Sequence, residues 1–314
     1  MDIAVDRSRG GGRVKATNAP ARARIADSAG WLGRLMLAPA IVYIFALVGL
    51  PFVLALVYSF SDVSISSAHA SFVGLATFRR AVADPAFPRA LGNTFLFAGT
   101  SQILVLILAS ILATTLQRDF RGKWLVRLLI LLPWVAPVSL GSIAWLWMFD
   151  SIYSVINWTL RWLGFSGWPI WLGQPHLAMT AIITVQVWRT LPLATVILLG
   201  GLSSIPQDIH DAAAIDGAGT LRHLFQITLP LVMPIQLVAL LFGFVFAFTD
   251  MIVIYVLTRG GPYDSTHVLA SLAFFKGIDG GDLAGGAATA LFLLPVLAAA
   301  AVLMLRLARR AEVA

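Results

Sequence analysis

The chain has 314 residues, of which 59% are hydrophobic and 12% charged, and its mean hydropathy is +0.87. A soluble domain carries about twice this charged fraction, so the composition excludes an ordinary soluble protein. The net charge of +7 does not indicate nucleic-acid binding, because the basic residues stand in short groups beside apolar runs, as membrane orientation signals do. The absence of cysteine excludes disulfides and cysteine-ligated zinc.

The predicted elements begin with a polar segment, residues 1–30, rich in Arg, Gly and Ala, which we expect to be a mobile cytoplasmic tail. The apolar run after it is too long for the core of a secretory signal, so we predict a permanent membrane helix. A helix needs about 20 apolar residues to cross a bilayer. Runs of this length predict six transmembrane helices, near 32–60, 95–117, 124–149, 177–202, 232–257 and 284–307.

The sequence therefore predicts an all-α integral membrane protein with six transmembrane helices. We divide it into the tail, a segment 31–94 with the first helix and an outer region, a membrane core 95–310, and a C-terminal tail 311–314. The amphipathic, aromatic stretch 152–163 predicts a helix lying at the membrane surface.

The distribution of Lys and Arg predicts the orientation of the chain. Most of these residues fall near the N-terminus, near the C-terminus, or in the short connection after the second predicted helix, as in Arg118, Arg121 and Lys123. Because cytoplasmic segments carry the excess of Lys and Arg, we expect both termini in the cytoplasm.

One predicted cytoplasmic connection, residues 203–234, is much longer than the other, and a connection of this length usually has a structure or function of its own. Pro206 and Asp208 suit the first turn of a helix, and Gly217 can take the left-handed conformation that ends one. A second short helix would then run up to Pro230. This pattern predicts a helical hairpin, which either rests on its own bundle or uses small side chains to dock into a partner.

The letters D-A-A-x-x-D-G-A, followed by I-x-L-P, resemble the EAA signature of ATP-binding-cassette (ABC) importer permeases. The signature positions are held by Asp211, Ala212, Ala213, Asp216, Gly217, Ala218, Ile227, Leu229 and Pro230. The resemblance implies that segment 203–234 is a coupling loop, whose helix fits a cleft in a separate ATPase subunit. The first position is usually Glu, so the shorter Asp211 would need a closer or rearranged contact with a basic partner.

Segments 72–94, 131–157 and 256–262 resemble the sugar-type branch, which includes maltose, lactose and glycerol-phosphate permeases. This resemblance implies a type I importer transmembrane domain in a bacterial inner membrane, taking up a sugar or polyol-like solute. It also implies a second permease subunit in a heterodimer, two ATPase subunits that bind ATP and Mg, and an external solute-binding protein. The chain has no G-x-x-x-x-G-K-[S/T] loop, so we expect neither a cofactor nor ATP hydrolysis in this subunit.

Two charges fall inside predicted spans, Arg189 in the fourth and Asp250 in the fifth. Because a charge at bilayer depth is costly, we hypothesise that the two pair, either beside the solute pathway or as a structural lock between helices. Gln186, Trp188 and Trp134 are further candidates for the pathway, although tryptophans also serve as interface anchors.

The five histidines have neither metal-ligand spacing nor a nucleophile partner, so we expect no metal site and no catalytic residue. Two other classes remain as alternatives. A secondary transporter would show inverted repeats and ion-coupling carboxylates in its spans. A membrane-embedded enzyme would need clustered His, Asp or Glu at one depth.

Overall fold

The computed structural model describes residues 21–67 and 70–313. Apart from isolated bridges within segment 61–72, the regular structure in these ranges is helical. The predicted all-α fold is confirmed. Of the predicted N-terminal tail, residues 1–20 lie outside the described ranges, and the backbone is helical from Ala21 onward.

The helices follow one another along the chain. They are α1 (Ala21–Ile44), α2 (Leu50–Ser59), α3 (Ala76–Ala83), α4 (Ala86–Gln117), α5 (Lys123–Val135), α6 (Val138–Met148), α7 (Val155–Trp162), α8 (Pro175–Ser203), α9 (Gln207–Ile215), α10 (Thr220–His223), α11 (Leu229–Phe248), α12 (Ile252–Leu257), α13 (Leu269–Phe274), α14 (Leu283–Leu291) and α15 (Leu293–Val313). π-Helical turns join α1 to α2 and α10 to α11, and a third follows α13; they are Phe45–Gly49, Leu224–Thr228 and Phe275–Asp279.

The described chain divides into two units, one ending at Leu54 and the other beginning at Ala55. Within the described residues, 21–54, the first unit is continuous helix, made of α1, its π-helical turn and the beginning of α2. The second unit contains the remaining helices and the site residues predicted from the sequence.

Five helical stretches in the described ranges are long and apolar enough to cross a membrane. They are Gly33–Ser59, Ala86–Gln117, Pro175–Ser203, Leu224–Phe248 and Leu283–Arg309. The consecutive helices α5 and α6 meet the same criterion as a pair. The predicted set of six spans is therefore recovered if this pair counts as one.

The third predicted span, 124–149, is not one straight helix. α5 and α6 are bent by 99° at Ala136 and Pro137. Ala136 is extended, with φ −65° and ψ 137°, because the ring of the following proline disfavours the helical region for the residue before it. Pro133, by contrast, lies inside α5.

The predicted bounds of the fifth span, 232–257, are also wrong at both ends. The helical chain starts at Thr220 and continues through a π-helical turn into α11, so Pro230 marks no break and the second helix of the predicted hairpin is not short. At the other end α11 stops at Phe248, and α12 begins separately at Ile252.

The core of the second unit is the contact between α4 and α8, which pack along each other. One face of α4 is buried at helical spacing, and it carries mostly small side chains: Ala90, Thr94, Ala98, Ser101, Val105, Ala109 and Ala113. Small residues let two helix backbones approach closely, which is how helices associate in lipid. This packing fixes α8, and with it Arg189, against the rest of the unit.

Candidate functional site

The predicted coupling loop begins with α9, which starts after Pro206 and carries Asp208 in its first turn, as predicted. Gly217 has φ +72°, in the left-handed region that glycine adopts without strain. The end of the helix is closed by backbone hydrogen bonds from Asp216 to Ala212 and from Ala218 to Ala213, both 3.0 Å. The local sequence therefore ends α9 as its glycine predicts.

Most of α9 is exposed in the single chain. Ala213 is its one buried residue in the described structure, whereas Ala212 and Asp211 are exposed and Ile215 is 86% exposed. The Asp211 carboxylate accepts a hydrogen bond of 3.1 Å from the Gln207 side chain of the same helix. An exposed helix with small side chains and one large apolar side chain has the character of a docking surface.

The remaining residues of the signature lie in a different element. Ile227 belongs to the π-helical turn, and Leu229 and Pro230 begin α11. The structure therefore places the first part of the signature on an exposed helix and the second part at the start of the fifth span. The two parts are joined by the turn at Gly217.

Two histidines of the loop, which the sequence analysis left without a role, contact each other. His210 Nδ1 lies 2.9 Å from His223 Nε2, and the ring centroids are 4.9 Å apart. His223 Nδ1 is also 3.3 Å from the hydroxyl of Thr228, which is buried. The two histidines lie seven residues before and six after Gly217, a spacing that allows this contact but does not by itself predict it.

The structure brings the two intramembrane charges together. Arg189 Nη2 lies 2.5 Å from Asp250 Oδ2, and the two side chains are 12% and 4% exposed. The second oxygen of Asp250 accepts a hydrogen bond of 3.1 Å from the backbone N–H of Val253, at the beginning of α12. The carboxylate therefore bridges α8 and the beginning of α12.

Two buried glutamines lie on the packed helices. Gln186, one turn before Arg189, is fully buried, and neither polar atom of its side chain has a hydrogen-bond partner in the described chain. The side chain of Gln102, on α4, occupies the space beside Gly243 of α11. A Cβ at Gly243 would overlap it, so only glycine fits at this position. A buried polar group without a partner costs free energy, so these positions are candidates for function.

The two tryptophans predicted for the pathway, Trp134 and Trp188, pack against other aromatic rings. Trp134 packs edge-on against Phe246 at 5.9 Å and is 38% exposed. Trp188 is half-buried and packs edge-on against Trp145 at 5.7 Å, and its ring lies 3.2 Å from where a Cβ would stand at Gly141 of α6. These aromatic contacts link α5 to α11 and α6 to α8.

The predicted outer segments carry a second group of charges. Lys276 Nζ lies 2.6 Å from Asp84 Oδ2. The hydrogen bond from Lys276 keeps the pKa of the Asp84 carboxyl below its usual value, with help from the N–H of Ala86. His267 is buried against Gly260, and burial lowers its pKa while the nearby Asp264 opposes the shift.

Comparison with known proteins gives one matching family. Residues 105–313 match the family described as binding-protein-dependent transport system inner membrane component. Among solved structures, a chain of a bacterial ABC transporter involved in the import of the acidic polysaccharide alginate is similar, with a TM-score of 0.80. The match covers 92% of this chain and 99% of that one at 20% identity, which supports the fold.

Three curated relatives are similar over most of their length. The sulfoquinovosyl glycerol transport system permease protein SmoG of Agrobacterium fabrum is 34% identical, over 88% of this chain and 90% of the relative. The trehalose/maltose transport system permease protein MalF of Thermococcus litoralis is 35% identical, over 77% and 82%. The sn-glycerol-3-phosphate transport system permease protein UgpA of Yersinia pestis is 31% identical, over 90% and 96%.

Proposed function

This chain belongs to the family of binding-protein-dependent transport system inner membrane components, and from that premise we propose that it forms half of the transmembrane pathway of an ABC importer for a sugar or related polyol-like solute. The observation that carries the proposal is the family match over residues 105–313, which includes both helices of the coupling loop. The chain is the permease component of such an importer, and ATP hydrolysis belongs to other subunits.

The solute class is inferred from the relatives. Their names specify sulfoquinovosyl glycerol, trehalose and maltose, and sn-glycerol-3-phosphate, all of which are polyhydroxylated molecules. The resemblance of segments 72–94, 131–157 and 256–262 to the sugar-type branch points to the same class. The buried Gln186 and the pair of Arg189 and Asp250 supply polar groups inside the membrane segment, as a pathway for hydroxylated solutes requires.

The coupling loop is the proposed contact with the ATPase subunits, which would bind ATP and Mg. The exposed Ile215 and the exposed small side chain of Ala212 support this role, because such a surface gains from burial in a cleft. Asp211, at the first signature position, would meet a basic residue of that cleft. Closure of the ATPase pair would then move α9 and, through it, the start of the fifth span.

Two further partners follow from the family. A second, different permease subunit would complete the pathway, and an external binding protein would deliver the solute; a related alginate importer structure includes a periplasmic protein with bound pentasaccharide. Both termini would lie in the cytoplasm, as the distribution of Lys and Arg predicts. Fusions of a folding reporter that works on only one side of the membrane, placed after residue 314, test this orientation.

Uptake by the reconstituted complex tests the proposed function. The chain is co-purified with candidate partner permease, ATPase and binding-protein subunits, and proteoliposomes are loaded with ATP. We expect uptake of at least one of radiolabelled trehalose, maltose, sn-glycerol-3-phosphate or sulfoquinovosyl glycerol, and none of radiolabelled glutamine. A catalytically inactive ATPase subunit is the control. Uptake that survives this control would instead indicate a secondary transporter.

A further inference from the structure

We propose that His210 and His223 form a latch that transmits movement from α9 to the fifth span, and that the latch holds only while at least one of the two rings is uncharged. The inference rests on the proposed function, in which α9 is seated on an ATPase subunit. Both residues would be positioning residues, because they act on transport through the helices that they join.

The contact between the histidines bridges the two arms of the coupling loop. His210 lies in α9 and His223 at the end of α10, and their ring nitrogens are 2.9 Å apart. In the described chain this is the single side-chain hydrogen bond between the two helices. From His223 the contact continues to the hydroxyl of Thr228, at the end of the π-helical turn that leads into α11.

The backbone of the turn at Gly217 also connects α9 to the fifth span, but this connection is flexible. Gly217 has no side chain, and a Cβ placed there would meet nothing within 4 Å. Glycine also has the greatest backbone freedom of any residue. Since Ala213 is the buried residue of α9, little packing ties this helix to its own bundle. A push on α9 would therefore bend the turn unless the histidine contact resists it.

The chemistry of imidazole makes this contact dependent on charge. If Thr228 donates its hydroxyl proton to His223 Nδ1, then His223 Nε2 carries a proton and donates to His210 Nδ1. The opposite arrangement, with His210 as the donor, also satisfies all three groups. When both rings are protonated, each nitrogen is a donor, so no acceptor remains between the rings and the two positive charges repel each other.

The charged surroundings do not compensate for a second positive charge. Arg118, at the end of α4, lines the same cavity of about 420 Å³ as the two histidines. Arg222 is adjacent to His223 in sequence, and Asp211 is adjacent to His210 and accepts from Gln207. Protonation of both rings would therefore release the latch.

The test measures the distance between α9 and the fifth span in the purified complete importer. Because the chain has no cysteine, Asp208→Cys and Phe242→Cys, both at exposed positions, accept spin labels without background labelling of this subunit. At pH 7.5 we expect a narrow distance distribution that ATP and vanadate leave unchanged, since the two elements move as one. At pH 5.5, or with His210→Ala, we expect the distribution to broaden and uptake per ATP to fall about fivefold.

A pair of conservative substitutions separates the latch from a general loss of structure. In His210→Asn/His223→Gln the amide groups stand near the positions of the bonded ring nitrogens and do not titrate. We expect this variant to keep the narrow distribution at both pH values, and His176→Gln, an exposed histidine at the start of α8, to behave as the unsubstituted chain. A distribution that neither His210→Ala nor acid changes would overturn the latch. Absence of any ATP-driven uptake would overturn the proposed function instead, and the distance measurement does not depend on it.

Discussion

Asp250 contacts Arg189 with one carboxylate oxygen and the beginning of α12 with the other. The distance from Oδ2 to Arg189 Nη2 is 2.5 Å, and Oδ1 accepts the N–H of Val253 at 3.1 Å. This geometry explains why the fifth predicted span breaks where it does. An aspartate side chain that caps a new helix competes with continuation of the preceding one, and here the ion pair holds the carboxylate in place.

The double role of Asp250 predicts a graded response to substitution. Asp250→Ala removes both the cap and the charge partner of Arg189, so we expect the folded complex to lose about 3–5 kcal/mol of stability. Asp250→Asn keeps an oxygen for Val253 and should be less destabilising. The measurement is the thermal midpoint of the detergent-solubilised complex, followed by size-exclusion chromatography.

The exchange Arg189→Asp/Asp250→Arg tests the role of the pair. We expect the exchanged chain to recover part of the uptake that either single variant loses, because the exchange restores the charge contact. Recovery is incomplete because an arginine cannot accept a hydrogen bond from the N–H of Val253. Recovered uptake with unchanged solute preference would identify a structural lock. Complete failure to recover would contradict the importance of the pairing itself.

Hydropathy predicted the spans well because the bilayer imposes their length and apolar character. It did not predict the bend at Pro137, since Pro133 and Pro192 look similar in the sequence and lie inside helices. Membrane helices tolerate proline wherever neighbouring groups satisfy the freed backbone. Those neighbours come from tertiary packing, which a single sequence does not display.

Among the site residues, too, local features were predictable from the sequence, whereas a contact that depends on tertiary packing was not. Gly217 was predictable because its role is local, a left-handed end to α9. The pairing of Arg189 with Asp250 was predictable from their depths in neighbouring spans. The contact of His210 with His223 was not, because it depends on how the two arms of the loop fold across the turn.

The glycine turn of the proposed coupling loop predicts that substitution lowers the coupling of uptake to ATP hydrolysis. Gly217 has φ +72° and open space around it, so Gly217→Ala strains the backbone by about 1–2 kcal/mol without any steric clash. We expect normal membrane insertion but lower uptake per ATP, and a complete loss of uptake with Gly217→Pro. Gly219→Ala is the matched control, because Gly219 lies in the same turn, also in open space, but without a positive φ. Equal effects of the two alanine substitutions would argue against a role for the left-handed turn.

The close approach of α11 to α4 predicts a clash that a second substitution relieves. A Cβ at Gly243 would overlap the side-chain carbonyl of Gln102, which is buried. We expect Gly243→Ala to reduce the amount of folded protein by displacing this glutamine, at a cost of about 1–3 kcal/mol. Gln102→Ala in the same chain should recover most of the loss. Gly99→Ala, on α4 with open space around it, provides the control.

The turn after α12 predicts an acid-sensitive region around His267. Asn93 of α4 donates to the carbonyls of Ser265 and His267, at 2.8 and 3.0 Å, and the His267 ring fills the space beside Gly260. Burial lowers the pKa of His267, so the folded turn binds this proton less readily than the unfolded chain does. The stabilising effect of the neutral ring is complete above the pKa of histidine in the unfolded chain, about 6.5. It is lost as the pH falls from there to the lower pKa of His267 in the folded chain.

Limited proteolysis at two pH values measures this effect. We expect cleavage between residues 258 and 267 to be faster at pH 5.5 than at pH 7.5, after correction for the activity of the protease on an unfolded substrate. His267→Asn removes the titrating group while keeping a polar side chain for Ser271, which lies 3.1 Å from His267 Nδ1. The ratio of the two rates should therefore fall toward one in this variant. An unchanged ratio would show that the burial of His267 does not control the stability of the turn.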